Sequence, residues 1–261
     1  MDNSYIEIGY KITDKDGNLP TIAAADANAT AAAAARGADG KTEYVAPINY
    51  ASQSMFSNVD MYLNDTLINL SGGFHHYKEY LKVLLSYNND YKNTVLRPYG
   101  WAADKPRFLN SVSNSNAGFW TRLGAIAEVD AHKHQIIKYN PDGGVLFGNL
   151  GVDFKGMPLI NGINIRLQYT LNPADVFLFG RIRAIQEEKI VDLPLKKKYI
   201  YTLNKFVLHM LVHELTPSLY ETIEHRLKTE PLIAGFKRYN MLQHSIPAGL
   251  TEWLSDTLLP S

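Results

Sequence analysis

The stretch that decides the fold runs from Pro47 to Tyr87 and reads PINYASQSMFSNVDMYLNDTLINLSGGFHHYKEYLKVLLSY. From Val59 to Leu63 apolar and polar residues alternate, which is the period of a half-buried β-strand. Asn64-Asp65 supplies two residues that tolerate a positive φ, and Thr66 to Leu70 returns as the partner strand. The sequence therefore predicts a tight β-hairpin, preceded by a short helical turn.

An amphipathic helix follows the hairpin. Ser71-Gly72-Gly73 breaks the strand pattern, and apolar residues then recur at positions i, i+3, i+7 and i+10 of a helix, namely Phe74, Tyr77, Leu81 and Leu84. The helix therefore has one apolar face. No side chain between Pro47 and Tyr87 is arranged for chemistry, which favours a structural role for this stretch.

Two motifs in this stretch occur together in one protein family. The hairpin carries YLN at 62–64, and the helix carries YxxYLxxLLSY at 77–87. In this order, and with Pro47, Asn49, Ser54, Phe56 and Val59 before them, the motifs resemble the minor capsid (penton) proteins of Polinton/Maverick elements. Related sequences occur in virophage-like and adintovirus-like genomes.

The resemblance extends over roughly Tyr5 to Thr257. A second set of family positions is matched by Leu150, Asp153, Phe154, Leu159, Gly162, Ile163, Ile165 and Leu167. The family's closing IPxG element is matched at 246–249, whereas Asn149 and Gly151 stand where many relatives carry an arginine and a histidine. Relatives also extend further at both ends, so the resemblance implies a shortened version or a fragment, with a sheet edge exposed for association.

The resemblance implies a fold and a function. The fold would be a single jelly-roll β-sandwich spanning 1–261 as one domain, and the function that of a minor capsid subunit. Homopentamers of such a subunit form the vertices of an icosahedral shell that is built mainly from a double-jelly-roll major capsid protein. Assembly takes place inside the host cell, the location is the virion, and a closed ring of five copies uses a heterologous interface.

Composition restricts the classes of function. The 261 residues carry 26 basic and 26 acidic side chains, so the formal net charge is zero and does not favour binding of nucleic acid. The one basic run is Lys196-Lys197-Lys198. The chain has no cysteine, which excludes disulfides and thiolate metal sites. It also has no run of 18 apolar residues, so no membrane span is expected.

Alternating segments elsewhere predict an all-β fold with two or three short helices. Tyr5 to Ile12 has one apolar face, and Ile163 to Leu171 alternates without a break. Tyr199 to Leu215 is apolar on both faces, as expected of a strand inside a sandwich. Further strands are predicted at 145–154, 176–179 and 233–246, a hairpin turn at Asn161-Gly162, and helices at 118–128 and at 217–228, the latter starting at Thr216-Pro217.

Two segments interrupt this pattern. Residues 23–40 form an alanine-rich insertion, which is interpreted as a surface segment between two strands or as a tip that projects from a particle. Residues 88–117 are predicted to be a long loop, held against a neighbouring face by Trp101 and Phe108.

Candidate metal sites fail on spacing. Asp14 and Asp16 lack the glutamate that a calcium loop needs. His132 and His134 could share a metal with Asp130. The sequence offers no further ligand at a spacing typical of a zinc site, so this interpretation is not preferred. His213-Glu214 is not a zinc-protease motif, because proline stands at 217. The sequence therefore predicts no metal and no cofactor.

No catalytic motif is present, and we expect the chain not to be an enzyme. The alternative function is a carbohydrate- or receptor-binding jelly-roll module, in which Tyr91, Tyr99 and Trp101 stack on sugars instead of holding the long loop in place. Binding residues are unknown on either interpretation. The structural assembly function is preferred, and it predicts pentamers or aggregates of the purified chain.

Overall fold

The computed structural model describes residues 5–17, 42–69, 72–106, 116–127, 135–139, 164–186, 189–209, 214–230 and 248–249. Within these ranges the chain is mostly β-strand, arranged as three antiparallel sheets of three strands each, with a few short helices. None of the helices in these ranges has both the length and the apolar character needed to cross a membrane.

The elements are numbered in chain order. The strands of the described ranges are β1 (Tyr5–Asp14), β2 (Thr42–Pro47), β3 (Phe56–Leu63), β4 (Thr66–Asn69), β5 (Gln135–Tyr139), β6 (Ile165–Leu171), β7 (Leu178–Gln186), β8 (Lys189–Leu193) and β9 (Tyr199–His209). The helices are α1 (Ala51–Ser54), α2 (His75–Ser86), α3 (Asn89–Thr94), α4 (Ala117–Ala127), α5 (Ala174–Phe177) and α6 (Pro217–Thr229), with a 3₁₀ turn at Arg97–Tyr99.

The first sheet has the order β5-β1-β9 and is centred on the amino-terminal strand. The predicted alternation of β1 is confirmed, because its four apolar residues are each at most 2 % exposed: Ile6, Ile8, Tyr10 and Ile12. The opposite face of β1 carries Glu7, whose carboxylate pairs with the Lys205 ammonium at 2.9 Å and lies 3.2 Å from His209 Nε2, both on β9. One face of the strand therefore supplies the core, and the other makes polar contacts with its neighbour.

The second sheet has the order β2-β7-β8. The sequence predicted a strand at 176–179, but the structure places the helical turn α5 before β7. The backbone N–H groups of Val176 and Phe177 both donate to the carbonyl of Pro173, at 3.0 and 3.1 Å. This turn carries the Phe177 ring into the core, where it contacts Tyr10 and Tyr201 at centroid distances of 5.6 and 4.6 Å.

The third sheet has the order β4-β3-β6 and contains the predicted hairpin. The hairpin is confirmed: Asn64 and Asp65 have φ values of 45° and 65°, and β3 and β4 pair antiparallel. The Asn64 N–H donates to the carbonyl of Asn164 at 2.9 Å, and the Asn164 N–H donates back to Asn64 Oδ1. This reciprocal pair fixes the start of β6, whose alternation is also confirmed from Ile165 to Tyr169.

The prediction that the strand from Tyr199 to Leu215 lies inside a sandwich is wrong for the part that is described. Among the described strands β9 pairs with β1 alone, and Phe206, Val207 and Leu208 remain 39–40 % exposed. Phe206 does approach the third sheet, with ring centroids 4.9 Å from Tyr169 and 6.0 Å from Phe56. The strand thus covers a neighbouring sheet on one side without being enclosed on both.

The segment predicted as a long loop is partly helical. Asn88 caps α3, because its side-chain oxygen accepts from the Tyr91 N–H at 2.8 Å, and the 3₁₀ turn follows. Trp101 is buried as predicted, whereas Phe108 lies outside the described residues. This helix begins with a side-chain cap in a polar segment, where apolar periodicity does not indicate a helix.

Several predictions concern residues outside the described ranges. These are the alanine-rich insertion 23–40, the histidine pair of 130–134, the strands predicted at 145–154 and 233–246, and the turn at Asn161-Gly162. The predictions of a helix at 118–128 and of one starting at Thr216-Pro217 are confirmed by α4 and α6. The described strands form three small sheets, and their arrangement into a single jelly roll stays a prediction.

Candidate interaction surface

The helix α2 presents apolar side chains on the outside of the molecule. Tyr77 is 54 % exposed, Leu81 and Leu84 are each 44 % exposed, and Leu85 is 84 % exposed. At about 100° of rotation per residue these four positions fall within an arc of about 100° on the helix surface. We call Tyr77, Leu81, Leu84 and Leu85 the outer stripe; it contains three of the four residues of the predicted apolar face.

The opposite side of α2 is buried and mostly polar. His75, Glu79 and Val83, at positions i, i+4 and i+8, are each at most 2 % exposed. The His75 ring nitrogen Nε2 lies 2.8 Å from Oε1 of Gln53, a buried residue of α1. Two of these three fully buried side chains are polar, while the half-buried Tyr80 adds an aromatic contact to the core on the inward side of α2.

Burial controls the charge of this inward face. It lowers the pKa of His75 well below 6.5, with Lys78 acting in the same direction, and it raises the pKa of Glu79 above 4.5. The Lys78 ammonium lies 3.3 Å from Glu79 Oε1 and opposes part of that rise. Burial thus favours the neutral form of both residues, because an ionised side chain is expensive to keep away from water.

Among the described residues, several buried polar atoms beneath α2 have no hydrogen-bond partner. They are Ser52 Oγ, His75 Nδ1 and Trp101 Nε1. An unpartnered buried donor or acceptor costs about 1–3 kcal/mol. Within the described residues, the packing of α2 thus leaves some buried polar groups unsatisfied while the outer stripe stays exposed to solvent.

A sharp corner of the chain fixes this arrangement. Tyr50, directly before α1, has the left-handed backbone conformation with φ 62° and ψ 51°, and its N–H donates to the carbonyl of Gly100 at 3.0 Å. Gly100 itself has φ +81°, and a Cβ there would lie 2.9 Å from the Ala51 Cβ. Asn49 Oδ1 accepts from the Ala102 N–H at 2.8 Å. The region around Gly100 thus holds α1 in place.

Aromatic rings complete the layer below α2. Trp101 stacks on Tyr80 at a centroid distance of 5.7 Å and meets Tyr50 edge-on at 5.8 Å. Trp101 and Tyr99 are 3 % and 6 % exposed. Two of the three aromatic residues considered for sugar stacking are therefore part of the core, and the third, Tyr91, stacks on Tyr87 at 4.6 Å.

A buried arginine holds the neighbouring loop to α4. The Arg122 guanidinium donates to both carboxylate oxygens of Asp104, at 2.9 and 3.0 Å, and to the carbonyls of Pro47 and Ala102. Burial lowers the pKa of Arg122, and Asp104 counteracts this effect. This residue was not predicted as functional from the sequence. The signal for it is one charged side chain between the apolar residues Phe119 and Leu123 of a short helix.

A second exposed apolar stripe lies on α6. Leu219 and Tyr220 are 47 % and 50 % exposed, Leu227 is 38 % exposed, and Ile223 is half-buried. No residue of α6 is buried. We call Leu219, Tyr220, Ile223 and Leu227 the α6 stripe. Glu221, Glu224 and His225 are exposed, as predicted, and Glu224 pairs with Lys228 at 2.8 Å.

Other polar groups are less suited to binding. A depression of about 300 Å³ is lined by Val45, Leu178 and Tyr199 and by the triplet Lys196–Lys198. The lysines are exposed, as predicted, and two of them pair with Asp14 and Asp175. In the described part of the chain no group of three or more metal-ligating side chains converges. Among the described residues, the candidate surfaces are therefore the two helical stripes and the exposed apolar residues Phe206, Val207 and Leu208 of β9.

The chain matches no protein-family model, no curated protein and no solved structure.

Proposed function

We propose that the chain is a structural building block of an icosahedral protein shell, the minor capsid (penton) subunit that associates into homopentamers at the vertices. A double-jelly-roll major capsid protein would surround it, and the virion would be its location. The support from the sequence is the YLN hairpin followed by the YxxYLxxLLSY helix. The proposal assigns no catalytic residue, no cofactor and no specific nucleic-acid contact.

The observation that carries the proposal is the outer stripe of α2. Four large apolar side chains on one exposed helix face form a contiguous patch, and such patches mark interaction sites in soluble proteins. Covering apolar surface is favourable by about 25 cal/mol per Å². The family motif contains Tyr77, Leu81, Leu84 and Leu85, the same four residues, so the motif and the exposed patch coincide.

The jelly roll belongs to this proposal. The described sheets are small and antiparallel, which is the strand arrangement from which a jelly roll is built. Phe206 of the first sheet contacts Tyr169 and Phe56 of the third, as residues of two facing layers do. In the proposed fold the strands predicted at 145–154 and 233–246 would extend these layers.

The test is the oligomeric state of the purified full-length chain and its dependence on the outer stripe. We expect sedimentation velocity to show pentamers at micromolar concentration, and electron microscopy to show five-fold rings. Leu85→Glu should shift the chain towards monomer, because a charged side chain would have to be desolvated in the contact. Ser86→Glu is the matched control, since Ser86 is exposed on the same turn but lies outside the outer stripe.

A compact monomer at all accessible concentrations would contradict the proposed function. Equal assembly of wild-type protein and Leu85→Glu would instead remove the outer stripe as its support. Circular dichroism of both variants shows whether a loss of assembly comes from loss of fold.

A further inference from the structure

Two tyrosines form a stacked pair where α2 meets α3. The ring centroids of Tyr87 and Tyr91 lie 4.6 Å apart, and the ring planes are 8° from parallel. In rings this close, carbon atoms of the two edges are at or near van der Waals contact, which for carbon is about 3.5–4.0 Å. The fold therefore holds two phenol rings at a separation from which a bond between them can form.

The backbone fixes the position of this pair. Tyr87 follows α2 in an extended conformation, with φ −118° and ψ 140°. The next residue, Asn88, caps α3, and its side-chain oxygen accepts from the Tyr91 N–H at 2.8 Å. Both rings also pack against the hydrophobic core. Because groups held in this way lose little freedom when they react, they combine faster than the same groups on a flexible chain.

Partial exposure suits the pair to oxidation. A phenol that loses an electron near neutral pH also gives up its proton, and water is the acceptor most readily at hand. Tyr87 and Tyr91 are both half-buried, so each retains contact with solvent. Tyr10 and Tyr50 are buried, and burial raises the pKa of their phenols, which keeps the proton in place. The stacked pair is therefore easier to oxidise than these core tyrosines.

We propose that Tyr87 and Tyr91 are an oxidative modification site, at which a carbon–carbon bond joins the two rings as dityrosine. The oxidant is a peroxide that acts through a one-electron catalyst such as a haem peroxidase. Each phenol loses one electron and one proton, and the two phenoxyl radicals couple through one ortho carbon of each ring. Each of these carbons then gives up its hydrogen as a proton while a proton returns to each phenoxyl oxygen, which restores both phenols. The protein thus loses two hydrogen atoms, and one hydrogen peroxide is reduced to two water molecules.

The bond ties the end of α2 to α3. Leu84 and Leu85 of the outer stripe directly precede the cross-linked segment, so the modification fixes the end of the helix that carries this stripe. Both rings belong to one chain, and the inference therefore holds whether or not copies of the chain associate.

Mass spectrometry of the oxidised full-length protein tests this proposal. The chain is treated with hydrogen peroxide and a haem peroxidase, then cleaved after lysine and arginine. Residues 83–92 form one peptide, in which Tyr87 and Tyr91 are the only tyrosines. We expect most of the oxidised peptide to lack two hydrogen atoms. This share should be about fivefold or more above that in a synthetic peptide of the same residues, which has no fixed geometry.

Two controls accompany this measurement. The peptide 199–205 also contains two tyrosines, and it should not lose two hydrogen atoms, because Tyr199 donates to Glu43 while the Tyr201 ring contacts Phe177. Tyr77→Phe removes an exposed tyrosine from α2 and should leave the cross-link unchanged.

Tyr91→Phe is the decisive variant, since it keeps the stacked ring and removes the phenol. It should abolish the cross-link, and circular dichroism shows whether the variant folds. The proposal is overturned if the peptide 83–92 stays unmodified while the exposed Tyr220 is oxidised. A bond from this peptide to another one, or equal shares in the protein and the synthetic peptide, would overturn it as well.

Discussion

Two helices of nearly equal length, α2 and α4, use their faces in opposite ways. α4 turns Phe119, Leu123 and Ile126 into the core. α2 turns Tyr77 and Leu85 outwards, and buries His75 and Glu79 instead. Apolar periodicity identifies a stripe in both sequences, but it does not determine which surroundings the stripe meets. For α2, the contact of His75 with Gln53 and the backbone corner at Tyr50 favour burial of the face opposite the apolar stripe.

The apolar stripes of α2 and α4 also differ in what they contribute to the stability of the monomer. In α4 the apolar stripe stabilises the monomer, and each guanidinium nitrogen of its buried charge, Arg122, donates a hydrogen bond. In α2 the apolar stripe is largely exposed and stabilises the monomer less, and among the described residues the buried side contains polar atoms without hydrogen-bond partners. The following substitutions should therefore differ sharply between the two helices.

The largest effect is expected from truncating the α4 stripe. Phe119→Ala should lower the free energy of unfolding by about 3–5 kcal/mol, because Phe119 is fully buried and its ring contacts Trp120 and Phe179. Leu85→Ala in the outer stripe is the counterpart and should change it by about 0.5 kcal/mol or less. Urea denaturation of dilute, monomeric protein measures both. Similar losses for the two variants would remove the distinction between the helices.

A somewhat smaller effect is expected at the buried arginine. Arg122→Met should cost about 3 kcal/mol, since Asp104 loses its partner and the carbonyls of Pro47 and Ala102 lose a donor. Lys228→Met, which breaks the exposed pair with Glu224, is the control and should leave the denaturation midpoint unchanged. A midpoint for Arg122→Met that equals the wild-type value would show that the clamp adds no stability.

The smallest effect concerns the titration of the inward face of α2. Because burial raises the pKa of Glu79, the folded chain keeps this proton to higher pH than the unfolded chain, whose carboxyl titrates near 4.5. The contribution of Glu79 is therefore complete below pH 4.5 and lost as the pH rises through the folded-state pKa. Glu79→Gln should gain stability relative to the wild type as the pH increases above 4.5 and through the folded-state pKa of Glu79.

His75 gives the opposite trend and serves as the matched control. Its lowered pKa means that the unfolded chain takes up a proton near pH 6.5 while the folded chain does not, so its contribution is complete above 6.5 and lost as the pH falls. His75→Gln should remove this acid-side loss. Thermal unfolding across the pH range measures both variants, and differences from wild type that do not vary with pH would show that neither residue titrates differently on folding.

Local sequence signals predicted the parts of the fold that depend on neighbouring residues. The positive φ of Asn64 and Asp65 gave the hairpin, alternation gave β1 and β6, and Thr216-Pro217 gave the start of α6. Each of these features is determined within about ten residues of chain, where turn chemistry and periodicity act directly.

Contacts between distant residues could not be predicted in this way. The inward orientation of α2 depends on Gln53 and on the hydrogen bond between Tyr50 and Gly100, and the exposure of β9 depends on which strands pair with it. The outer stripe was recognised as an apolar face of a helix, but nothing in the helix itself distinguishes a core-facing stripe from one that faces solvent.

The left-handed corner at Tyr50 has a consequence for the order of folding. An aromatic residue in this conformation is strained by about 1 kcal/mol or more, and the hydrogen bond that holds it comes from Gly100, far along the chain. We expect α1 and α2 to dock only after that loop has closed, which makes their attachment a late step with an entropic barrier. During synthesis, α2 would therefore expose its apolar stripe before it docks on the rest of the chain. The concentration of nascent chains would then determine whether copies associate correctly.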